Sequence, residues 1–178
     1  MKISLPKLKA ILLYCATFTK PELLGKVKLM KLFYFIDFTH LKIFGSPITY
    51  DSYVHLEHGP IPSSIKNLVD SVDDDIDNAV LSDTIKIERL ISSDMHRVIP
   101  LRKFNENDAK LFSDTELQTL ASVCKRFENK NARFIEDESH RESPWKKTGL
   151  LDNIPYELAS EDPDCKTTKE EIILATEI

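Results

Sequence analysis

Two histidines and a glutamate lie within the four residues His55–His58, and side chains of these types can bind a metal ion. On a strand, the first histidine and Glu57 would share one face while His58 pointed away, so a single ion would require a sharp bend. His140 or Glu142 would have to complete the site from far downstream, giving a small metal-dependent hydrolase that uses His58 and His140. A polar turn or a partner contact does not require distant residues to converge on one ion. The hydrolase is therefore kept as an alternative.

Ser63 and Lys66 match the S-x-x-K pattern of serine acyl-transfer enzymes, in which the lysine activates the serine from one helical turn away. The S-D-N segment that accompanies this pattern is absent, and a serine at a helix start is ordinary capping chemistry. No Ser/His/Asp or Cys/His spacing indicates a nucleophilic site. We therefore predict that the chain is not an enzyme and has no catalytic residue, no cofactor and no bound metal.

Composition and charge fit one cytoplasmic domain, residues 1–178, without a nucleic-acid or membrane partner. The formal net charge of −5 provides no basic face for phosphate contacts. No apolar run approaches the roughly 20 residues that span a bilayer, and the apolar stretch 11–14 is too short for a signal peptide. Three cysteines without a C-x-x-C pair fit a reducing compartment.

The segment Lys26–Phe44 predicts a helix whose apolar arc is so broad that the helix should be central and packed on two sides. Lys28, Lys31, Phe35 and Lys42 occupy the remaining narrow stripe. That stripe is read either as a solvated face or as a docking surface for an acidic partner. If it docks a partner, changing Lys31 or Lys42 to glutamate should abolish binding and leave the fold intact.

Two polar residues lie inside the apolar arc. Asp37 should have a specific lysine, arginine, tyrosine or backbone partner, because an unpaired buried carboxylate is costly. His40 should be a hydrogen-bonded core histidine, with a contact to His140 or Asp37 as the alternative. Changing Asp37 or Trp145 should therefore lower stability.

The remaining segments predict a mainly α (α+β) fold, a single helical domain around the central helix with a small β element. A strand over 49–56 ends at the Gly59-Pro60 turn, and Ser63 or Ser64 should cap the next helix. A β-hairpin follows around a turn at Ser92-Ser93-Asp94. Capping boxes beginning at Ser113 and Thr168 open two later helices.

The run Lys28–Pro62 resembles the centre of the Panacea domain, also called the SocA-like or phage GepA-like domain. That family typically has a K-x-x-K-L-x-Y helix, then a strand ending in a (Y/H)-G-P-(V/I) turn, and later an H-x-x-x-P-W segment. The matching residues are Lys28, Lys31, Leu32, Tyr34, His58, Gly59, Pro60, Ile61, His140, Pro144 and Trp145. His58 stands where tyrosine is more usual, and no further landmark follows Trp145.

The resemblance implies an antitoxin that neutralises a cognate toxin by direct contact, the toxin being encoded by an adjacent gene. A proteolytic adaptor or a phage regulatory protein is the alternative, and a homo-oligomer is left open. The predicted partner-binding residues are Lys28, Lys31, Phe35, Lys42, His58, Gly59 and Pro60. The predicted structural residues are Tyr34, Asp37, His40, His140, Pro144 and Trp145.

Trp145 has two interpretations. As a core residue it would fill space while His140 orients it by a hydrogen bond. As an interface residue it would anchor a partner, because tryptophan combines a large apolar area with a polar group.

Overall fold

A computed structural model of the chain describes residues 2–90 and 94–177. Its helices are α1 (Leu5–Phe18), α2 (Lys26–Phe44), α3 (Ser63–Asp74), α4 (Glu106–Ala109), α5 (Asp114–Phe127), α6 (Ala132–Ser139), α7 (Ser143–Lys146) and α8 (Lys169–Thr176). Its strands are β1 (Tyr53–Leu56), β2 (Gly59–Pro62), β3 (Ile85–Arg89), β4 (His96–Pro100) and β5 (Asn153–Ile154). Short 3-10 helices cover Pro21–Leu23 and Tyr156–Glu161. The predicted mainly helical α+β fold is confirmed.

Helix α2 is the centre of the molecule, as its sequence predicts. It packs against α5, α6, α3, β2 and β4, and most of its side chains are buried. Gly45 ends the helix in the left-handed conformation (φ 86°) and donates its N–H to Leu41 O. Glycine adopts this conformation without the clash that a Cβ atom would cause, which explains why the predicted boundary is correct.

The C-terminal end of α2 is completed by a distant segment of the chain. Lys166 N–H donates to Lys42 O at 2.8 Å, and Thr167 Oγ1 lies 3.1 Å from Leu41 O and 3.2 Å from Lys42 O. Carbonyl groups in the last turn of a helix lack partners within the helix. The distant segment supplies the donors for Lys42 O and adds a second donor to Leu41 O, which also accepts from Gly45 N.

The strands form two small antiparallel sheets, with the order β2-β1-β5 in one and β3-β4 in the other. In the first, His55 lies opposite Pro60 and Tyr53 lies opposite Ile154. The predicted strand and hairpin are both present, although Ser92 and Ser93 of the predicted turn lie outside the described residues. Strand β5 was not predicted, because two residues are too few for a periodic signal.

The predicted capping boxes at Ser113 and Thr168 are confirmed at the starts of α5 and α8. The predicted cap of α3 is wrong. Neither Ser63 nor Ser64 caps this helix with its side chain; the Asp51 carboxylate instead accepts from Ser64 N at 3.2 Å and Ile65 N at 2.9 Å. An upstream carboxylate can perform this role because the first turn of a helix exposes unpaired N–H groups.

Within the described residues, no helix combines the length and the apolar character needed to cross a membrane.

Candidate site beneath the first β-turn

The stripe predicted to be exposed is buried. Lys28, Lys31, Phe35 and Lys42 are each almost fully covered, so the prediction of a solvated or docking face is wrong. Helices α5 and α6 cover α2 here, and the Phe35 ring lies 4.7 Å from the Phe127 ring. Glutamate at position 31 or 42 should therefore disrupt the fold instead of selectively abolishing binding, because an unpaired buried charge is costly.

Lys31 lies directly beneath the turn between β1 and β2. Its Nζ donates to Pro60 O at 2.9 Å. Burial lowers the pKa of Lys31 to about 7, and the nearby Glu136 carboxylate only partly opposes this shift. Lys31 therefore holds the turn from the inside and carries its charge only in part at neutral pH.

At Gly59 the turn lies close to both α2 and α6. Its φ is 94°, and a Cβ atom at this position would lie 2.8 Å from Ser139 Oγ and 3.0 Å from Lys31 Cε. Only glycine fits this close approach without displacing a neighbour. The two landmarks of the sequence, the His-Gly-Pro turn and the segment that begins at His140, are thus brought together.

Aromatic stacking holds the second landmark. The rings of His140 and Trp145 are 3.8 Å apart and inclined by 18°, and the ring of His55 also stacks on Trp145 at 4.4 Å. The predicted hydrogen bond from His140 to Trp145 is wrong. His140 Nε2 and Trp145 Nε1 are buried without a hydrogen-bond partner among the described residues. Burial lowers the pKa of His140.

Trp145 packs against the hydrophobic core while remaining partly accessible, which agrees with the core interpretation. Pro144 is buried at the start of α7, where the fixed φ of proline suits the first helical turn.

Tyr34 and Lys42 meet at one buried carboxylate. Tyr34 OH donates to Glu142 Oε2 at 3.0 Å, and Lys42 Nζ lies 3.0 Å from Glu142 Oε1. Asp162 and Asp164 complete the acidic surroundings of Lys42, at 3.5 and 3.1 Å. Burial raises the pKa of Glu142, although Lys42 opposes the shift. These contacts make Lys42 a structural residue.

The two polar residues of the apolar arc are hydrogen-bonded core residues, as predicted. Asp37 accepts from the backbone N–H groups of Ile48 and Thr49 and from Tyr53 OH. Burial raises the pKa of Asp37, and these hydrogen bonds oppose the shift. His40 is bonded to Ser46 O at 2.6 Å and to Thr115 Oγ1 at 3.2 Å, so neither His140 nor Asp37 is its partner in these bonds.

Lys28 is the third buried lysine of α2. Its Nζ donates to Lys130 O at 2.5 Å, and burial lowers its pKa to about 8. The three lysines therefore have three different distant partners: a loop carbonyl, a turn carbonyl and a set of carboxylates.

Of the seven predicted partner-binding residues, all within the described part of the chain, only His58 is exposed. Its side chain is 73% accessible, and Nδ1 lies 3.3 Å from Glu136 Oε1. Gly59 and Pro60 are buried below it. Glu136 and Ser139 of α6 contribute to the site but were not recognised, because a lone glutamate or serine on a helix has no distinctive sequence signal.

The structure gives no support to the hydrolase alternative. In the ranges 2–90 and 94–177, no group of three or more His, Cys, Asp or Glu side chains is arranged to hold a metal ion. His58 pairs with Glu136 while His140 stacks on Trp145. A K-T-G tripeptide does occur at Lys147–Gly149, but Lys147 pairs with Glu161, and Lys66 pairs with Asp70.

We expect Lys31→Met to change the pH dependence of stability. The unfolded chain keeps the lysine proton up to a pKa near 10.5, whereas the folded chain releases it at about 7. The unfolded state therefore binds more protons between these values, and Lys31 makes the free energy of unfolding rise with pH by at most about 1.4 kcal/mol per unit. The variant should equal or exceed the wild type at pH 6 and fall behind it by pH 10.

Urea unfolding of both proteins at pH 6, 7, 8, 9 and 10 measures this difference. Lys125→Met, which removes an exposed positive charge on α5, is the matched control. A constant difference between the wild type and Lys31→Met across the whole range would contradict the assignment.

Comparison with known proteins identifies the family. The family model described as "Antitoxin SocA-like, Panacea domain" matches residues 29–146. No curated protein and no solved structure matches the chain. The matched span runs from the fourth residue of α2 to the end of α7 and so includes Lys31, the His58–Pro60 turn and the stacked pair His140 and Trp145. The chain therefore belongs to the family of SocA-like antitoxins with a Panacea domain.

Proposed function

We propose that this protein is an antitoxin that neutralises a toxin protein by direct contact. The observation that carries the proposal is the family match over residues 29–146. Within this span Lys31 holds the His-Gly-Pro turn, and Gly59 of the turn approaches Ser139, the residue before the His140 segment. The toxin is the product of a gene adjacent to the one that encodes this chain. No catalytic step in this chain is part of the proposal.

The contact surface is the exposed layer above the buried site. We define the turn face as Glu57, His58 and Glu136. Glu57 and His58 are exposed, and the pair His58–Glu136 joins the turn to α6. The buried residues Lys31, Gly59 and Ser139 fix the shape of this face and need not touch the partner. A preformed face of this kind loses little conformational entropy on binding.

Co-expression tests the proposal. The adjacent gene is induced with and without this protein, and we expect growth arrest by the neighbour, rescue by this chain, and a complex that co-purifies. Neutralisation with the two purified proteins alone distinguishes direct contact from a proteolytic adaptor, which would also need a protease. A harmless neighbour, or rescue without any complex, would contradict the proposal.

The turn face is tested with His58→Ala and Glu57→Ala. The double variant that combines them should bind the toxin about tenfold more weakly than the wild type. Its melting temperature should stay within about 2 °C of the wild-type value, since exposed positions contribute little to stability. Lys125→Ala is the matched control, because it removes an ion pair of the same 3.3 Å length whose lysine is 78% exposed. Equal binding by all these variants would exclude the turn face.

A further inference from the structure

A turn just beyond α7 exposes two large apolar side chains. Leu150 and Leu151 are 64% and 72% accessible. Leu151 also has a φ of 69°, in the left-handed region that glycine and asparagine tolerate and a leucine adopts only at a cost. We call these two residues the leucine knob.

Two backbone hydrogen bonds, at Leu151 and Asp152, fix the turn to the sheet. Leu151 N donates to His55 O at 2.8 Å, and His55 N donates to Asp152 O at 2.9 Å. Within the turn, Asp152 N donates to Gly149 O at 3.0 Å, and Gly149 N donates to Asp152 Oδ2 at 2.7 Å. The surrounding structure thus holds two exposed leucines in a defined position and maintains a strained backbone to do so.

The knob lies at the same end of the sheet as the turn face. Leu151 is hydrogen-bonded to His55 of β1, two residues before Glu57, and the turn directly follows β1. The knob also lies outside the family match, which ends at residue 146. The knob therefore lies just beyond the matched part of the chain, while the turn face lies within it.

We propose that the leucine knob enters an apolar cleft of the toxin and strengthens its binding to this chain. This inference rests on the proposed function and specifies the chemistry of the partner. Two leucine side chains supply only a small part of the roughly 800 Å² that each partner of a stable interface buries. The knob alone cannot hold a second copy of this chain, but it can extend the adjoining turn face.

Leu151→Gly separates a binding role from a structural role. Glycine adopts a φ of 69° freely, so this variant should keep the melting temperature of the wild type or raise it by about 1–3 °C. Because the variant lacks one side chain of the knob, its affinity for the product of the adjacent gene should fall about 5- to 20-fold. A residue with only a structural role would not give unchanged or higher stability together with weaker binding.

The double variant Leu150→Ser/Leu151→Ser should lower the affinity about 100-fold, measured by titration calorimetry with the product of the adjacent gene. Leu174→Ser is the matched control, since Leu174 on α8 is 74% exposed and has no part in the knob. The control should bind as the wild type does.

The other outcomes overturn the inference in distinguishable ways. If the wild type binds the toxin and the knob variants bind it equally well, the knob proposal alone fails. If the variants lose stability and binding together, the knob is structural. If the knob variants abolish self-association of the free chain and leave toxin binding unchanged, the knob's occupant is a second copy. If the wild type does not bind, the proposed function fails and the knob proposal with it.

Discussion

Asp37→Ala is expected to lower the free energy of unfolding by about 4 kcal/mol, because it leaves several buried donors without an acceptor. The Asp37 carboxylate accepts from Thr49 N at 2.7 Å, Ile48 N at 2.9 Å and Tyr53 OH at 2.9 Å. It also accepts from Thr49 Oγ1, and Tyr156 OH lies 3.3 Å from it. This one side chain connects α2 to the segment that leads into β1.

Urea unfolding measures the effect, and two further variants interpret it. Asp37→Asn retains an oxygen for the two backbone donors and should cost only about 1–2 kcal/mol. Asp74→Ala, at an exposed carboxylate of α3, should change stability by less than about 0.5 kcal/mol. Equal losses in Asp37→Ala and Asp74→Ala would show that the hydrogen bonds of Asp37 do not contribute as described.

Gly59→Ala is expected to cost about 3 kcal/mol and to impair toxin neutralisation. Alanine at this position would have to adopt a φ of 94°, and its Cβ would lie 2.8 Å from Ser139 Oγ, so the turn must move away from α6. Such a movement also weakens the bond between Lys31 and Pro60 O, and the turn face loses its fixed shape.

Gly45→Ala provides the matched control, because Gly45 has a similar φ of 86° but its nearest neighbour, Thr167 Cγ2, is 3.6 Å from the added Cβ. It should cost only about 1 kcal/mol, the price of the backbone conformation. The difference in unfolding free energy between the two variants isolates the close approach at Gly59. Equal losses of unfolding free energy in the two variants would mean that Ser139 and Lys31 move away from the added Cβ without destabilising the fold.

The sequence predicts the central helix well because local signals determine it. Gly45 ends the helix, and the apolar arc covers so much of its circumference that burial on several sides follows. The partner of Asp37 was predictable in type, since a buried carboxylate must have donors, although sequence spacing alone does not identify Tyr53 or Thr49.

The prediction for the lysine stripe failed for a physical reason. A helical projection assigns lysine to water, yet a lysine can bury its long stem when its ammonium reaches a suitable acceptor. Those acceptors are 102 residues away for Lys28 and 100 for the Glu142 partner of Lys42, so no local pattern reveals them. The stacking of His140 on Trp145 was missed similarly, because the H-x-x-x-P-W spacing does not distinguish stacking from a hydrogen bond.

The bonds that complete the end of α2 also bear on how the chain folds during synthesis. Thr167 and its acceptor Leu41 are 126 positions apart. Since ribosomes add about 5–20 residues per second, roughly 6 to 25 seconds pass between the synthesis of the helix and that of its partner segment. Until Lys166 and Thr167 are synthesised, the carbonyl of Lys42 must remain hydrated or be protected by a chaperone. The ammonium of Lys42 is in the same position until Glu142 is synthesised, 100 residues after it. The helix at the centre of the molecule is therefore synthesised long before the segment that completes its C-terminal end.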